Sequence, residues 1–578
     1  MTRGILRAVK QVNTPVAMMC TLWVVVAGAA CDGAPQADRQ VADLMIVNGR
    51  VFTADEQGTV AQAVAVAGNK VVRVGTDQEL AALRGPQTRI IDAHGATVTP
   101  GFNDSHVHFL SGGETLGDVD LAGLTTLAQV QDAIRDFAAT KADAAWVKGR
   151  GWLYSPFPGG SPTKAQLDAI VADRPAVMTC YDGHSIWVNS KALAMAGITK
   201  DTPNPTNGVV VKDPTTGEPT GHLKESATDL VTAIMPKPTG ADRRAALRTA
   251  VAHAHRFGVT SVQNAGGDPE EMALYDEARR AGELQVRTYL AFSARAGTTE
   301  ADLDRMDATR KQFGDDPTLK TGAVKIYADG VIESRTAALL APYQNSPSAG
   351  SPNLSAGELN RLVTMVDKRG WQIWIHAIGD RAIRMSLDAF ERAAVDNPAP
   401  AGGRRHRIEH IETIDAADIP RFARLGVIAS QQPMHVPLGD MNSAHPSGPW
   451  PDNLGPDRAS RAWAWKSIHD AGGRLTFGSD WPVAPLSPGQ GIWVATARTG
   501  PPNAADQKLP MRDVISGYTR WPAYASFEDQ RKGTLAPGML ADLVVLSADI
   551  LARPPANAAG VVVETTIFDG KVVYQKPK

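Results

Sequence analysis

Short apolar runs alternate with amphipathic stretches through the middle of the chain. Eight runs have the length and the β-branched content of strands, at 97–106, 258–264, 285–292, 322–328, 371–376, 406–410, 426–431 and 474–479. Stretches with the 3.6-residue period of helices, such as 355–370 and 380–395, lie between most of them. Strands that alternate with helices in this way are typical of the α/β class. We therefore predict a (β/α)₈ TIM barrel over 97–532.

Two further regions extend the predicted barrel. The gap from 110 to about 245 is too long for one connection, so we predict an inserted subdomain at about 111–245. Residues 42–96 and 533–578 are both rich in short β-type runs, and Asp569-Gly570 has the sequence of a hairpin turn. Because chain ends often lie close together, we expect the two termini to form one small β-sandwich domain.

Residues 1–30 have the pattern of a secretory signal peptide. A basic start is followed by 16 residues without a charge, PVAMMCTLWVVVAGAA, which is short for a membrane span. The GAAC sequence that ends at Cys31 resembles a bacterial lipobox, although Gly28 stands where a larger aliphatic residue is usual. Cleavage before Cys31 would leave a lipidated, membrane-anchored lipoprotein, and cleavage near Ala29 or Ala30 would leave a free periplasmic protein. Both alternatives predict export from a bacterial cytosol.

Charge and cysteine content exclude several classes of protein. The formal net charge of the 578 residues is −2, so we expect no nucleic-acid partner. The only cysteines are Cys20, Cys31 and Cys180, too few for a disulfide scaffold. We therefore expect a large hydrophobic core to stabilise the fold. We also expect a small-molecule substrate and a homo-oligomer, and the sequence does not indicate the number of subunits.

Potential metal ligands occur at the carboxyl ends of the predicted strands, the face that carries the active site in such barrels. They are His106, His108, Lys325, His376, His410 and Asp480. Alternating strand residues point to one side, so His106 and His108 present two imidazoles together. Imidazole and carboxylate groups bind Zn²⁺ and similar ions. The recurrence over five strands predicts a metal cluster.

The motifs GFNDSHVHF at 101–109 and FGSD at 477–480, together with His376 and His410, resemble the metal-dependent amidohydrolase superfamily. The segments YDGHSIWVNSKAL and VKIYADGVIESR are similar to its YtcJ-like branch, of the amidohydrolase 3 type, which includes N-substituted formamide deformylases. The resemblance covers nearly the whole mature chain. It implies metal-activated water that hydrolyses a non-peptide C–N bond in an amide, an N-substituted formamide or a cyclic amide.

The resemblance also implies ligand roles. His106 and His108 would bind one divalent metal and His376 and His410 a second, with Zn²⁺ expected and Fe²⁺ or Mn²⁺ as alternatives. Lys325 would be carboxylated and would bridge the two metals, since a free ammonium has no lone pair.

Asp480 has an implied role in the reaction, and Lys325 has an alternative to its implied role. Asp480 would bind metal and act as general acid and base. The alternative for Lys325 is a barrel lysine paired with Asp329 or Glu333, in which case the site holds one metal.

The inserted subdomain and the loop after the fourth strand supply the remaining candidates. His184 is either a donor to the developing oxyanion or an ordinary loop residue. The predicted substrate-binding residues are Trp152, Tyr154, Asp182 and Arg335. The two aromatic residues have an alternative place in the core of the insertion.

Two other functions remain as alternatives to amide hydrolysis. One is hydrolysis of an ester, lactone or carbamate at the same metal centre. The other is an exported solute- or metal-binding protein, which would have no need of an acid at the position of Asp480.

Overall fold

Eight parallel strands form the centre of the structure, a computed structural model that describes residues 41–313, 315–436, 449–498, 504–556 and 560–577. In chain order they are β1 (Phe102–Val107), β2 (Val259–Ala265), β3 (Arg287–Ala294), β4 (Leu319–Tyr327), β5 (Gln372–Ala377), β6 (Arg407–His410), β7 (Ile428–Gln431) and β8 (Arg474–Phe477). Each strand pairs in parallel with the next. A bridge between Val107 and Trp481 joins the two ends and closes the ring. The predicted barrel is confirmed.

Helices lie along the chain between and after the barrel strands. They are Phe109–Thr115, Gly240–Arg256, Pro269–Arg280, Glu300–Phe313, Ala356–Lys368, Asp380–Asp396, Ile419–Leu425, Pro449–Leu454, Pro456–Ala459, Trp465–Asp470, Pro488–Ala497, Met511–Gly517 and Arg520–Ala525, with 3₁₀ turns at Ala416–Asp418 and Pro433–His435.

The helix Ala356–Lys368 shows how local sequence sets these elements. Ser355 caps its first turn, and Glu358 bonds back to the Ser355 backbone, so two free N–H groups are satisfied. Its apolar residues recur at helical spacing and are buried against the barrel core: Leu359, Leu362, Val363 and Val366.

Two sheets from the chain termini pack around a separate hydrophobic cluster. One contains Lys70–Gly75, Ala63–Ala67, Ala42–Val47 and Arg84–Asp92, and the other contains Lys571–Gln575, Val563–Phe568, Leu543–Leu546, Thr97–Pro100, Arg50–Phe52 and Val60–Ala61. A four-residue helix, Asp77–Leu80, and a 3₁₀ turn, Ala81–Leu83, connect two of the strands.

The single strand predicted at 97–106 is two strands of different domains. Thr97–Pro100 pairs with Leu543–Leu546 in the terminal sheet, and only Phe102–Val107 belongs to the barrel. Gly101 lies between the two strands. The position requires glycine, because a Cβ atom there would clash with the side chain of Thr260. The small β domain thus extends to Pro100 rather than ending at residue 96.

A mixed six-stranded sheet occupies the long connection between β1 and β2. Its strands are Val119–Asp120, Val147–Trp152, Ala176–Cys180, Ser185–Val188, Gly208–Lys212 and Pro219–Glu225. Its helices are Leu127–Thr140, Lys164–Asp168, Ser190–Met195 and Asp229–Thr232, with 3₁₀ turns at Pro158–Gly160 and Ser226–Thr228. This inserted sheet has its own hydrophobic clusters and brings His184 towards the barrel mouth.

The predicted signal peptide and Cys31 lie outside the described residues. Within the described residues, we find no helix that is both long and apolar enough to span a membrane.

Candidate active site

His106 and His108 lie at the carboxyl end of β1. His106 is fully buried, whereas about a quarter of the His108 side chain is exposed. His108 is the first residue past the strand and directly precedes the helix Phe109–Thr115. The two rings lie 5.7 Å apart, so the structure brings the predicted pair together.

Asp480 lies at the centre of the histidine cluster. Its Oδ1 is 3.2 Å from His108 Nε2 and 3.5 Å from His106 Nε2, and its Oδ2 is 3.8 Å from His410 Nδ1. Burial alone would raise the pKa of Asp480, but His106, His108 and His410 hold it well below its usual range. Asp480 is therefore an ionised carboxylate at neutral pH.

His376 is the penultimate residue of the fifth strand and His410 the last residue of the sixth, and their rings lie 4.5 Å apart. Burial lowers the pKa of each ring well below its ordinary value. Burial and the neighbouring Lys325 together lower the pKa of His106 to about 4. These shifts favour the neutral form of all three imidazoles, which is the form that binds metal ions.

Lys325 lies inside the barrel on β4, with no exposed surface. Its Nζ is 3.2 Å from His106 Nε2 and lies over the Tyr327 ring. Asp329 instead accepts three backbone N–H groups, and Glu333 accepts from the Tyr181 hydroxyl. The alternative pairing of Lys325 with Asp329 or Glu333 is therefore wrong, and Lys325 belongs to the histidine cluster.

The backbone is strained where the cluster meets the strand ends. His410 has φ 75°, Ile411 has φ 54° and Asp480 has φ 60°. Positive φ is most unfavourable for the β-branched Ile411. Such conformations cost on the order of 1–3 kcal/mol each and concentrate at functional sites.

The inserted sheet places His184 beside His376, with 5.9 Å between the ring centres. His184 Nδ1 is 2.9 Å from Glu225 Oε2, and both side chains are mostly buried. Burial lowers the pKa of His184, but Glu225 and nearby carboxylates more than offset this and raise it to about 9. His184 is therefore cationic at neutral pH.

Three of the four predicted substrate-binding residues, Trp152, Tyr154 and Asp182, make contacts within the inserted subdomain. Trp152 has no exposed surface, packs among other aromatic rings and donates from Nε1 to Met178 O at 2.7 Å. Its predicted role in lining the pocket is wrong, because no surface is available to a substrate. Tyr154 donates to Asp182 Oδ2 at 2.9 Å, and Asp182 Oδ1 accepts from the His184 backbone. These two side chains hold the loop that carries His184.

Arg335 differs from the other three candidates. It is exposed, and it donates from Nε to Asn453 Oδ1 at 2.7 Å. All four predicted substrate-binding residues lie in the described part of the chain, and none lines the cavity beside His108.

That cavity has a volume of about 850 Å³ and opens at the mouth of the barrel. It is lined by His108 and Tyr327 together with Ser293, Arg295 and Met306. Its size is that of a small-molecule site.

Four further residues at the site are not among the sequence-based candidates. Glu409 Oε2 lies 2.5 Å from His106 Nδ1, and Arg407 donates to both Glu409 oxygens. His435 stacks on His410, with its Nε2 3.6 Å from Asp480 Oδ2, and Glu225 pairs with His184. The available signal was the HRIEH sequence at 406–410, which places two charged residues inside a barrel strand.

Residues 89–574 match a family model described as an amidohydrolase family. The chain belongs to the amidohydrolase family. This match confirms the predicted resemblance, and family members are metal-dependent hydrolases of C–N bonds other than peptide bonds. The predicted enzyme class is thereby confirmed.

Individual proteins agree with the family match. The putative amidohydrolase YtcJ of Bacillus subtilis (strain 168) is 33% identical over 548 residues, which cover 91% of this chain and 98% of that protein. The N-substituted formamide deformylase of Arthrobacter pascens is 28% identical, over 93% of this chain and 99% of that protein. The crystal structure of an uncharacterized metal-dependent hydrolase from Pyrococcus horikoshii OT3 superposes with a TM-score of 0.68 at 24% identity, covering 88% of this chain and 98% of that one, and supports the fold.

The residues of this amidohydrolase fit a divalent metal. His106, His410 and Asp480 each offer a ligand atom, and these atoms lie within 4.8 Å of one another. Two buried atoms of the cluster, Asp480 Oδ1 and His435 Nε2, have no hydrogen bond of good geometry within the described residues, although His108 Nε2 lies 3.2 Å from Asp480 Oδ1. Buried polar atoms are rarely left unpaired, so unpaired atoms beside this cluster are consistent with a cation.

Proposed function

We propose that this amidohydrolase hydrolyses the C–N bond of small amides, with N-substituted formamides as the favoured substrate class. The observation that carries the proposal is Asp480, a buried carboxylate whose oxygens lie within 3.8 Å of ring nitrogens of His106, His108 and His410 at the barrel mouth. The likeness to the deformylase of Arthrobacter pascens over nearly the full length of both chains supports the substrate class.

His106, His410 and Asp480 would hold the metal, and its expected identity is Zn²⁺ because two imidazoles and a carboxylate suit that ion. When bound, the metal would make hydroxide available near neutral pH and polarise the substrate carbonyl. If the site holds two metals, as the resemblance implies, His108, His376 and a carboxylated Lys325 would supply the additional ligands.

Asp480 would move the proton that the reaction requires. Its carboxylate would take a proton from the attacking water and would deliver it to the leaving nitrogen as the C–N bond breaks. The products are a carboxylic acid, formic acid for a formamide, and a free amine.

His184 would stabilise the negative charge that develops on the carbonyl oxygen. A cationic imidazole held by Glu225 in a mostly buried position is a preorganised donor, which costs little reorganisation during the reaction. The 850 Å³ cavity next to His108 would bind the substituent on nitrogen.

The substrate assignment is tested with the zinc-loaded protein and a panel of N-substituted formamides, cyclic amides and matched esters. We expect formate and amine to appear in equal amounts from the formamides, at rates proportional to protein concentration. Mass spectrometry of both products makes the measurement, with heat-inactivated protein as the control. Cleavage of esters without release of amine from any amide would contradict the assignment.

Replacing His184 by glutamine should lower kcat by about 100- to 1,000-fold, the usual effect of removing an oxyanion donor. The wild-type rate should fall as the pH rises through about 9, where His184 loses its proton, and the variant should lack this decline.

The ion pair of His184 with Glu225 also makes the stability of the fold depend on pH. The raised pKa of His184 contributes stability that is complete below the unfolded value of about 6.5 and is lost as the pH rises through about 9.

His222→Gln is the matched control for His184→Gln, because His222 is a buried histidine of the same sheet whose Nδ1 lies 2.9 Å from Ser161 Oγ. It should keep the wild-type rate and pH profile, and an equal loss in both variants would assign His184 a structural role.

We also propose export, on the strength of the signal-like residues 1–30. The intact mass of the mature protein distinguishes a lipid on Cys31 from cleavage near Ala30. Sedimentation velocity of the same sample tests the predicted homo-oligomer.

A further inference from the structure

A buried polar layer lies inside the barrel directly beneath the histidine cluster. Its centre is Arg407 of β6, which has no exposed surface and lies over the Trp374 ring at 4.0 Å. The guanidinium donates to oxygens on four different strands: Ser105 O, the Gln263 side chain, both oxygens of Glu409 and Ser430 Oγ. Arg407 is thus held in one orientation by the barrel itself.

Glu409 connects this layer to His106. Its Oε1 accepts from Arg407 Nε at 2.8 Å, and its Oε2 accepts from Arg407 Nη2 at 3.0 Å. A guanidinium can only donate, so both carboxylate oxygens act as acceptors. The same Oε2 lies 2.5 Å from His106 Nδ1, which must therefore carry the hydrogen.

Lys325, on the opposite side of the His106 ring from Glu409, independently indicates which ring nitrogen carries the hydrogen. Its Nζ lies 3.2 Å from His106 Nε2, and an ammonium has no lone pair to offer. Nε2 is consequently the acceptor of the ring. Two neighbours on different strands thus agree that Nδ1 is protonated and that Nε2 presents a lone pair to the site.

We infer that Glu409, clamped by Arg407, is a positioning residue that fixes His106 in the tautomer whose Nε2 binds the metal. The inference rests on the proposed function, because it assumes a metal at His106. A carboxylate that accepts from the outer nitrogen of a ligating histidine also orients the ring and raises its basicity. Glu409 acts only through His106 and is not itself a ligand.

Glutamine at this position would break the arrangement in either orientation of its amide. With its NH₂ group towards His106, Nδ1 must accept and Nε2 carries the hydrogen, which is the wrong tautomer. With its NH₂ group towards Arg407, two donors meet in a buried position. One of these two unfavourable contacts must form, because Arg407 is held in place and cannot move away from the substituted amide.

The chain contains a matched control for the chemistry of this group. Asp367 accepts from His406 Nε2 at 2.9 Å and from Arg404 Nε at 2.8 Å, and it is also buried. Asp367 thus forms a carboxylate, histidine and arginine group with no predicted metal ligand in it. Asp367→Asn removes the same kind of interaction without touching His106.

The test is the Zn²⁺ dissociation constant of chelator-treated protein, measured by competition with a chromophoric chelator. Glu409→Gln should bind Zn²⁺ about 10- to 100-fold more weakly than wild type. Asp367→Asn should bind Zn²⁺ like wild type. The melting temperature of each metal-free variant, compared with that of wild type, separates weaker metal binding from general destabilisation.

Wild-type Zn²⁺ affinity in folded Glu409→Gln would overturn the inference, as would an equal loss of affinity in Asp367→Asn. If Glu409→Gln does not fold, Arg407→Lys provides the test, because a lysine replaces the two-pronged clamp with a single contact. That variant should also bind Zn²⁺ more weakly, and unchanged affinity would contradict the positioning role. Absence of Zn²⁺ binding by wild type would instead refute the proposed function.

Discussion

Asp480→Asn should lower kcat by about 100- to 10,000-fold, the range expected when a general acid and base is removed. Asparagine has nearly the same shape as aspartate but cannot accept the proton of the attacking water. It also suits the local backbone, because Asp480 has φ 60° and asparagine tolerates this conformation better than most residues. The variant should therefore fold, and its loss of rate reports on the chemistry of the carboxylate.

Asp569→Asn is the matched control for this substitution. Asp569 also has a positive φ, 51°, and it lies in a hairpin turn of the small β domain. It should keep the wild-type kcat. Steady-state kinetics with parallel determination of metal content make the comparison. Turnover near the wild-type rate in Asp480→Asn with its metal in place would refute the role of Asp480.

The barrel could be predicted because its strands are short, apolar and separated by amphipathic helices. The grouping of the histidines could be predicted because the carboxyl ends of such strands converge, so residues distant in sequence become neighbours. His106 and His410 are 4.9 Å apart between ring centres although they are 304 positions apart in sequence (410 − 106). Strand order and strand polarity were sufficient for that step.

Side-chain partners and burial could not be predicted in the same way. Trp152 belongs to the same inserted sheet that carries His184. Only its packing against Phe157 and His222 shows that it lies in the hydrophobic core of that sheet. Likewise, Glu409 and His410 are adjacent in sequence, and only the barrel shows that Glu409 contacts His106 rather than solvent. Such assignments depend on tertiary neighbours that local sequence does not contain.

Removal of the metal should abolish hydrolysis completely, and this is the second large effect we expect. Lys325 Nζ lies 3.2 Å from His106 Nε2, the atom expected to bind the metal. One lone pair cannot serve both an ammonium donor and a metal. Carboxylation of Lys325 would resolve the conflict by replacing a donor with ligand oxygens.

The experiment is exhaustive dialysis against a chelator, followed by activity assays and elemental mass spectrometry. Zn²⁺ should restore the rate, and Mg²⁺ should not, because it prefers oxygen ligands in octahedral geometry. Dialysis without chelator is the control. Restoration at two equivalents of Zn²⁺ would support a carboxylated Lys325 between two metals, and restoration at one would limit the site to His106, His410 and Asp480. Full activity in protein shown to be metal-free would refute the metal-dependent mechanism, because that mechanism requires the metal to make hydroxide available near neutral pH.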